Sequence, residues 1–331
     1  MAQEFSSFVH DSRCFKISMK HLVKLSLRSN GIVCRGRNRA FTTTFAPDAS
    51  SLLLNRKPLE QPHVHEVSWK PFQTFTAEDD PDRTKVHWKS PHFFESVDPV
   101  ARSLSTTVEQ LDVSRVIGYR DGFSFASFVR GVMTESECAD LLQHVNMKGF
   151  TPALVNIGGG RQQLLPRVRN GLRMIHDSTA ISSWLLEVLR PHLPHTLNAG
   201  ASPFGQLCSG NVELSRINER CRFLCYIPGQ QFKRHSDGGE VWPRESRTGK
   251  VKLEALTLVT LQLYLHDIPK GYGGATSFII RGQHGEEKLE CLPGVGSVLL
   301  FTQDLSHEGS HLERGFKYTM RSDAFYTIPH A

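Results

Sequence analysis

The stretch Tyr226-Ile-Pro-Gly-Gln-Gln-Phe-Lys-Arg-His235-Ser-Asp237 sets an imidazole and a carboxylate two residues apart. On extended backbone, residues i and i+2 point to the same face. One ring nitrogen of His235 and one oxygen of Asp237 can then converge on a single metal ion. The motif follows a predicted strand and a Pro228-Gly229 turn, and Gly238-Gly239 behind it leaves room for approach. A second histidine, His307, stands 72 positions later in Ser-His-Glu-Gly. It completes a face of two histidines and one carboxylate, which leaves coordination positions open and suits non-heme Fe(II) and O2 chemistry. His311 competes with it, but His307 is nearer the end of the strand expected before it and directly precedes Glu-Gly.

Outward from this stretch the chain reads as β. Short apolar runs separated by Gly/Pro turns cover 222–226, 256–265, 276–280, 288–292, 297–302 and 317–326. The run 256–265 is almost continuously apolar, which suits a central strand buried at least partly on both faces. Upstream, Thr134-Glu-Ser-Glu137 has the form of a capping box. Cys138, Leu141, Leu142 and Val145 follow at helical spacing, and Gly149 is a stop signal. A second helix is expected from Asp177 or Ser178 to Pro191, with Ile181, Trp184, Leu185, Val188 and Leu189 on its apolar face. Between the helices, 167–173 reads as a polar strand or loop. Many short strands after two helices point to a mostly β, α+β chain: a sandwich or jelly roll buttressed by helices.

The 331 residues suffice for one large domain or two smaller ones, and 39% hydrophobic with 22% charged residues suits a globular core. No apolar run approaches the ~18 residues of a membrane span. Eight Lys/Arg and no acid lie between Arg13 and Pro47, which more than accounts for the formal charge of +6. The basic balance therefore gives no evidence of a nucleic-acid-binding core. Lys16, Lys20, Lys24 and Arg28 form a stripe at helical spacing within this tract. Residues 1–47 are expected to be a basic tail or a transit peptide, although Glu4 and Asp11 precede the tract. Residues 48–115 are expected to be a linker or partly ordered arm, and 116–331 the folded domain. The seven cysteines form no CxxC pair, so reduced thiols in an intracellular compartment are expected. That compartment is a mitochondrion or other organelle if the basic tract is a presequence, and otherwise the cytoplasm.

Lys317 lies ten residues after His307, between Phe316 and Tyr318, on the next expected strand. A half-buried ammonium there needs an anion. Arg321, on the same face, is the alternative. Tyr226 and Thr276 alone read as packing residues, although Gly273-Gly274 lets backbone approach closely beside the Thr276 hydroxyl. The segment 241–252, rich in basic residues, reads as a loop over the site, a substrate lid, or a solvated surface loop.

Several motifs occur in order: Tyr-x-x-Gly-Gln-x-Phe-x-x-His-x-Asp from Tyr226, Leu-Tyr-Leu at 263–265, Gly-Gly-x-Thr-x-Phe from Gly273, Pro-x-x-Gly-x-x-Leu-Leu-Phe from Pro293, and His-Glu-Gly from His307. Over about residues 122–328 this set resembles the 2-oxoglutarate- and Fe(II)-dependent dioxygenases, and among them the prolyl 4-hydroxylase-type domain. The resemblance implies a double-stranded β-helix with Fe(II) held by His235, Asp237 and His307. It implies 2-oxoglutarate paired with Lys317 and hydrogen-bonded by Tyr226 and Thr276, with O2 as oxidant and ascorbate as reductant. The substrate, a peptide such as a prolyl chain or a small molecule, is not named by these residues. Thr257 and Phe325 stand where similar peptidyl hydroxylases carry an arginine and a polar residue. The other readings are a jelly-roll binding or sensing module without catalysis, and a hydrolytic Zn or Mn site with no use for Lys317.

Overall fold

The computed structural model describes residues 15–16, 61–76, 90–158, 160–245, 251–292 and 294–329. The basic tract, save Phe15–Lys16, lies outside them. The helices longer than one turn are α1 (Pro99–Leu104), α2 (Glu135–Lys148) and α3 (Thr179–Leu189). The strands that position the site are β1 (Thr107–Gln110), β2 (Ala126–Arg130), β3 (Leu172–Asp177), β4 (Asn211–Ile217), β5 (Arg220–Tyr226), β6 (Phe232–His235), β7 (Glu240–Glu245), β8 (Val251–Tyr264), β9 (Thr276–Arg281), β10 (Glu286–Cys291), β11 (Val298–Thr302), β12 (His307–Gly309) and β13 (Lys317–Thr327).

Two antiparallel sheets carry the architecture. The larger runs β1-β2-β11-β8-β13-β5-β3 and ends on Thr151–Pro152, with β4 also on β13 and β7 on β8. The smaller runs β6-β12-β9-β10. Phe128, Tyr264, Leu299 and Phe301 from the larger sheet share one buried cluster with Phe278 and Cys291 from the smaller. The sheets thus close on each other as a jelly roll. Strand β8 lies between β11 and β13, and 255–265 are buried throughout, as the apolar run requires.

The helices start where side chains satisfy their free N–H groups. Thr134 N–H donates to Glu137 Oε2 at 2.7 Å, and Glu137 N–H donates to Thr134 Oγ1 at 3.2 Å. Gly149 ends α2 at φ 78°, where a Cβ would be strained. The Ser178 side chain caps α3 by accepting from Ile181 N–H, and Pro191 falls in the 3-10 turn that follows α3. Asn146 of α2 hydrogen-bonds Tyr318 on the outer face of β13. No described helix is long and apolar enough to cross a membrane, and Cys138, Cys208, Cys221, Cys225 and Cys291 are free and buried.

Two expectations change. Within the expected arm, 107–110 already belong to the larger sheet, because β1 pairs with β2 with Val108 opposite Val129. Just before it, Phe94 packs edge-on against Trp184, whose Nε1–H donates to Val97 O at 3.1 Å. The end of the expected arm is therefore part of the fold. The segment 241–252 is largely a hairpin: Val241 lies opposite Leu256 and Glu245 opposite Val251, with a register shift between Trp242 and Pro243. Main-chain pairing makes these strands, and composition does not report it. Residues 246–250 lie outside the described set.

Candidate metal centre

The turn before β6 follows from two residues. Pro228 and Gly229 occupy the central positions, Gly229 has φ 89°, and Gln230 N–H closes on Ile227 O at 3.0 Å. This is a type II turn, which needs a positive φ at its third residue. It aims β6 along β12, with His235 directly opposite His307. Their ring centroids are 4.3 Å apart. Asp237 stands between them: Oδ1 is 3.7 Å from His235 Nε2, and Oδ2 is 3.7 Å from His307 Nε2. One ligand atom from each lies within 4.8 Å of the others, so the three can hold one ion. His311 is exposed and outside this group.

Each histidine is held in the tautomer that coordination needs. His235 Nδ1 lies 2.8 Å from Lys233 O, and His307 Nδ1 lies 2.9 Å from Leu305 O. A carbonyl only accepts, so both Nδ1 atoms carry the proton and both Nε2 lone pairs face the carboxylate. Burial, with the neighbouring His307, pushes the His235 pKa down to about 3, and burial lowers that of His307. Both rings are therefore neutral ligands at neutral pH. Burial would raise the Asp237 pKa, but the Arg321 guanidinium, with the Thr260 hydroxyl, opposes it and the group is held ionised. Thr260 Oγ1–H donates to Asp237 Oδ2 at 2.6 Å, and Asp237 N–H donates to Gln303 O at 3.0 Å. Two neutral nitrogens and one fixed carboxylate suit a divalent transition metal such as Fe(II).

Lys317 starts β13, opposite Tyr226. It is only 3% exposed and has no carboxylate partner among the described residues. Burial lowers its pKa to about 7. Its hydrogen bond, 3.4 Å to Thr276 Oγ1, is long. That oxygen also receives Tyr264 OH at 2.8 Å and Gln262 Nε2–H at 3.0 Å, so three donors converge on two lone pairs. Lys317 Nζ stands 5.7 Å from the centre of the Tyr226 ring. The ring in turn rests on Gly171, where a Cβ would come within 2.6 Å of it.

Arg321 differs. Its guanidinium lies 3.3 Å from Asp237 Oδ1 and 2.9 Å from Asp323 Oδ1. Asp323 Oδ2 takes Arg222 at 2.9 Å, and Arg222 takes Glu240 at 2.9 Å. Gln303 Nε2–H donates to Asp323 at 3.0 Å. A buried chain of alternating charge thus ends on Asp237. The sequence reading missed Thr260, Gln303, Arg222, Asp323 and Glu240. The available signal was polar residues at alternate positions, 317, 319, 321 and 323, on a strand whose other face is apolar.

Thr257 and Phe325 serve the fold. Thr257 Oγ1 accepts from Glu240 N–H at 2.7 Å and donates to Gln303 Oε1 at 3.3 Å. Phe325 lies under the Arg216 guanidinium at 3.8 Å. The space beside Gly239 is filled by the Phe204 ring, which a Cβ would meet at 2.2 Å.

No family model matches the chain, and no curated protein does. Solved structures do. A prolyl hydroxylase from Trichoplax adhaerens, in complex with a hypoxia inducible factor peptide fragment, matches at 15% identity and TM-score 0.40, over 74% of this chain and 95% of its own. The viral collagen prolyl hydroxylase of Paramecium Bursaria Chlorella virus-1, in its 2OG complex, matches at 16% and 0.38, over 61% and 96%. HygX from Streptomyces hygroscopicus, with nickel and 2-oxoglutarate bound, matches at 13% and 0.35, over 65% and 85%. What this chain does has to be read from its own side chains.

Proposed function

We propose that the chain is an oxidoreductase that couples oxidative decarboxylation of 2-oxoglutarate to hydroxylation of a second substrate. The observation that carries this reading is a pair of neighbours. One is a His235–Asp237–His307 cluster, buried at Asp237 and His307 and half-buried at His235, with neutral imidazoles. The other is a buried Lys317 with no anion. A hydrolytic metal site explains the first and leaves the second without a use. In the proposed reaction 2-oxoglutarate, O2 and R–H become succinate, CO2 and R–OH, with one oxygen atom entering succinate and the other the product.

His235, Asp237 and His307 would hold Fe(II), which supplies O2 activation when bound. Lys317 and Thr276 would hold the distal carboxylate of the 2-oxo acid, and Tyr226 would shape the wall of its pocket. Pairing with that carboxylate removes the cost of the lone buried ammonium. Thr260 and the Nδ1 carbonyl bonds keep the three ligands from rotating. Ascorbate serves as the external reductant that keeps iron in the Fe(II) state. Thr257 and Phe325 are engaged in the fold, so prolyl specificity is not carried by those positions.

Anaerobic addition of Fe(II) and 2-oxoglutarate should give a weak visible charge-transfer band, and admission of O2 should release succinate. His235→Ala should abolish both. A wild-type protein without the band, or a mutant that keeps it, overturns the reading.

A further inference from the structure

The open side of the site carries a second cation. His235 is 19% exposed at its side chain, against 6% for Asp237 and for His307, so the site opens beside His235. Phe232 stacks on that imidazole with centroids 3.6 Å apart. The Arg169 guanidinium lies over the Phe232 ring at 4.6 Å. Its place is fixed by main-chain bonds to the metal strand: Lys233 N–H donates to Val168 O at 2.9 Å, and Asn170 N–H to Gln231 O at 3.2 Å. Asn170 Oδ1 accepts from Gln231 N–H at 2.7 Å.

Arg169 is partly buried and poorly matched. Arg222 and Arg321 each meet carboxylates. Arg169 meets none among the described residues. It has the Tyr226 hydroxyl and, at 3.5 Å, the Leu154 carbonyl. Its Nε is buried without an acceptor. Burial lowers its pKa to about 10, so it stays charged at neutral pH. A planar guanidinium with free donors is built for two-point recognition of a carboxylate. Lys317 lies deeper and is the candidate for the cosubstrate. Arg169 lies toward solvent, where the second substrate arrives.

We infer that the second substrate carries a carboxylate, bound by Arg169 at the mouth of the site; this rests on the dioxygenase reading above.

The test uses the full chain, loaded with Fe(II) and 2-oxoglutarate without oxygen. N-acetylglycine and its neutral amide are titrated by isothermal titration calorimetry into the wild type and each variant. The acid should bind about tenfold or more tightly than the amide, the scale of a charge-assisted hydrogen bond. Arg169→Gln should erase that preference and cost 2-oxoglutarate binding less than it costs acid binding. Arg169→Lys, which keeps the charge, should retain part of the preference. Equal binding of acid and amide overturns the inference. So does a preference that survives Arg169→Gln, or displacement of 2-oxoglutarate by the acid. Loss of the charge-transfer band in the wild type counts against the dioxygenase reading instead, and the acid titration is then read on its own.

Discussion

Lys317 and Arg321 project from the same face of β13, four residues apart, into two different electrostatic regions. Around Arg321 the barrel interior is closed: Glu240, Arg222, Asp323, Arg321 and Asp237 alternate in sign, and each cation touches carboxylates. Around Lys317 it is open: the ammonium is buried, and a shared hydroxyl is its hydrogen-bonding partner. Burial opposes both Arg222 and Lys317. Asp323 and Glu240 outweigh it for Arg222 and raise its pKa, while nothing comparable offsets it for Lys317. A buried charge supplied with its partner serves the fold, and one left without a partner is set for a ligand.

The comparison breaks if the two regions respond alike to substitution. The largest effect is expected in the closed one. Asp323→Asn leaves Arg222 with Glu240 alone and Arg321 with Asp237 alone, and should destabilise the fold by about 3–5 kcal/mol, the usual result of breaking a buried pair. Urea unfolding reads this directly, and a loss below about 1 kcal/mol would show that the chain is not a single electrostatic unit.

Lys317→Met should do the reverse. Unfolding free energy should hold or rise, while 2-oxoglutarate binding weakens by about 2–5 kcal/mol, roughly thirtyfold or more. The pH dependence has a definite sign. The folded pKa of about 7 lies below the ordinary lysine value of 10.5, so the unfolded chain binds the extra proton between them. Stability tied to Lys317 is therefore lowest below pH 7 and recovers as pH rises toward 10.5. The stability advantage of Lys317→Met over wild type should shrink across that interval. A constant advantage would mean that the lysine is already matched.

The smallest effect belongs to the seam between the regions. Thr260→Val removes the 2.6 Å bond to Asp237 and should weaken metal affinity about 10–100-fold with little loss of stability. Metal titration against a chelator measures it.

The strands themselves were partly legible because β8, β9, β11 and β13 contain apolar runs bounded by turn residues. Helices α2 and α3 were legible through the helical spacing of their apolar residues and their start and stop signals, and α1 was not. The joining of His235, Asp237 and His307 followed from the i, i+2 rule and from the strand end before His307. The ion chain was not legible. Arg222 and Asp323 lie 101 positions apart, and single polar residues in a strand read as solvent-facing. Only closure of the two sheets turns that face inward. Arg169 was read as part of a polar strand or loop, because its neighbour Phe232 arrives through a β-bridge distant in sequence. Strand β1 was missed because a short edge strand, three of its four residues exposed, has no apolar periodicity to show.

Asp237 joins the two sheets in a further sense. Its ligand partners His235 and His307 belong to the smaller sheet, while Thr260 and Arg321, which steady it, belong to the larger. An ion at this point would clasp the halves of the barrel together. Iron supply would then govern how long the molecule survives proteolysis in a cell, as well as how fast it turns over.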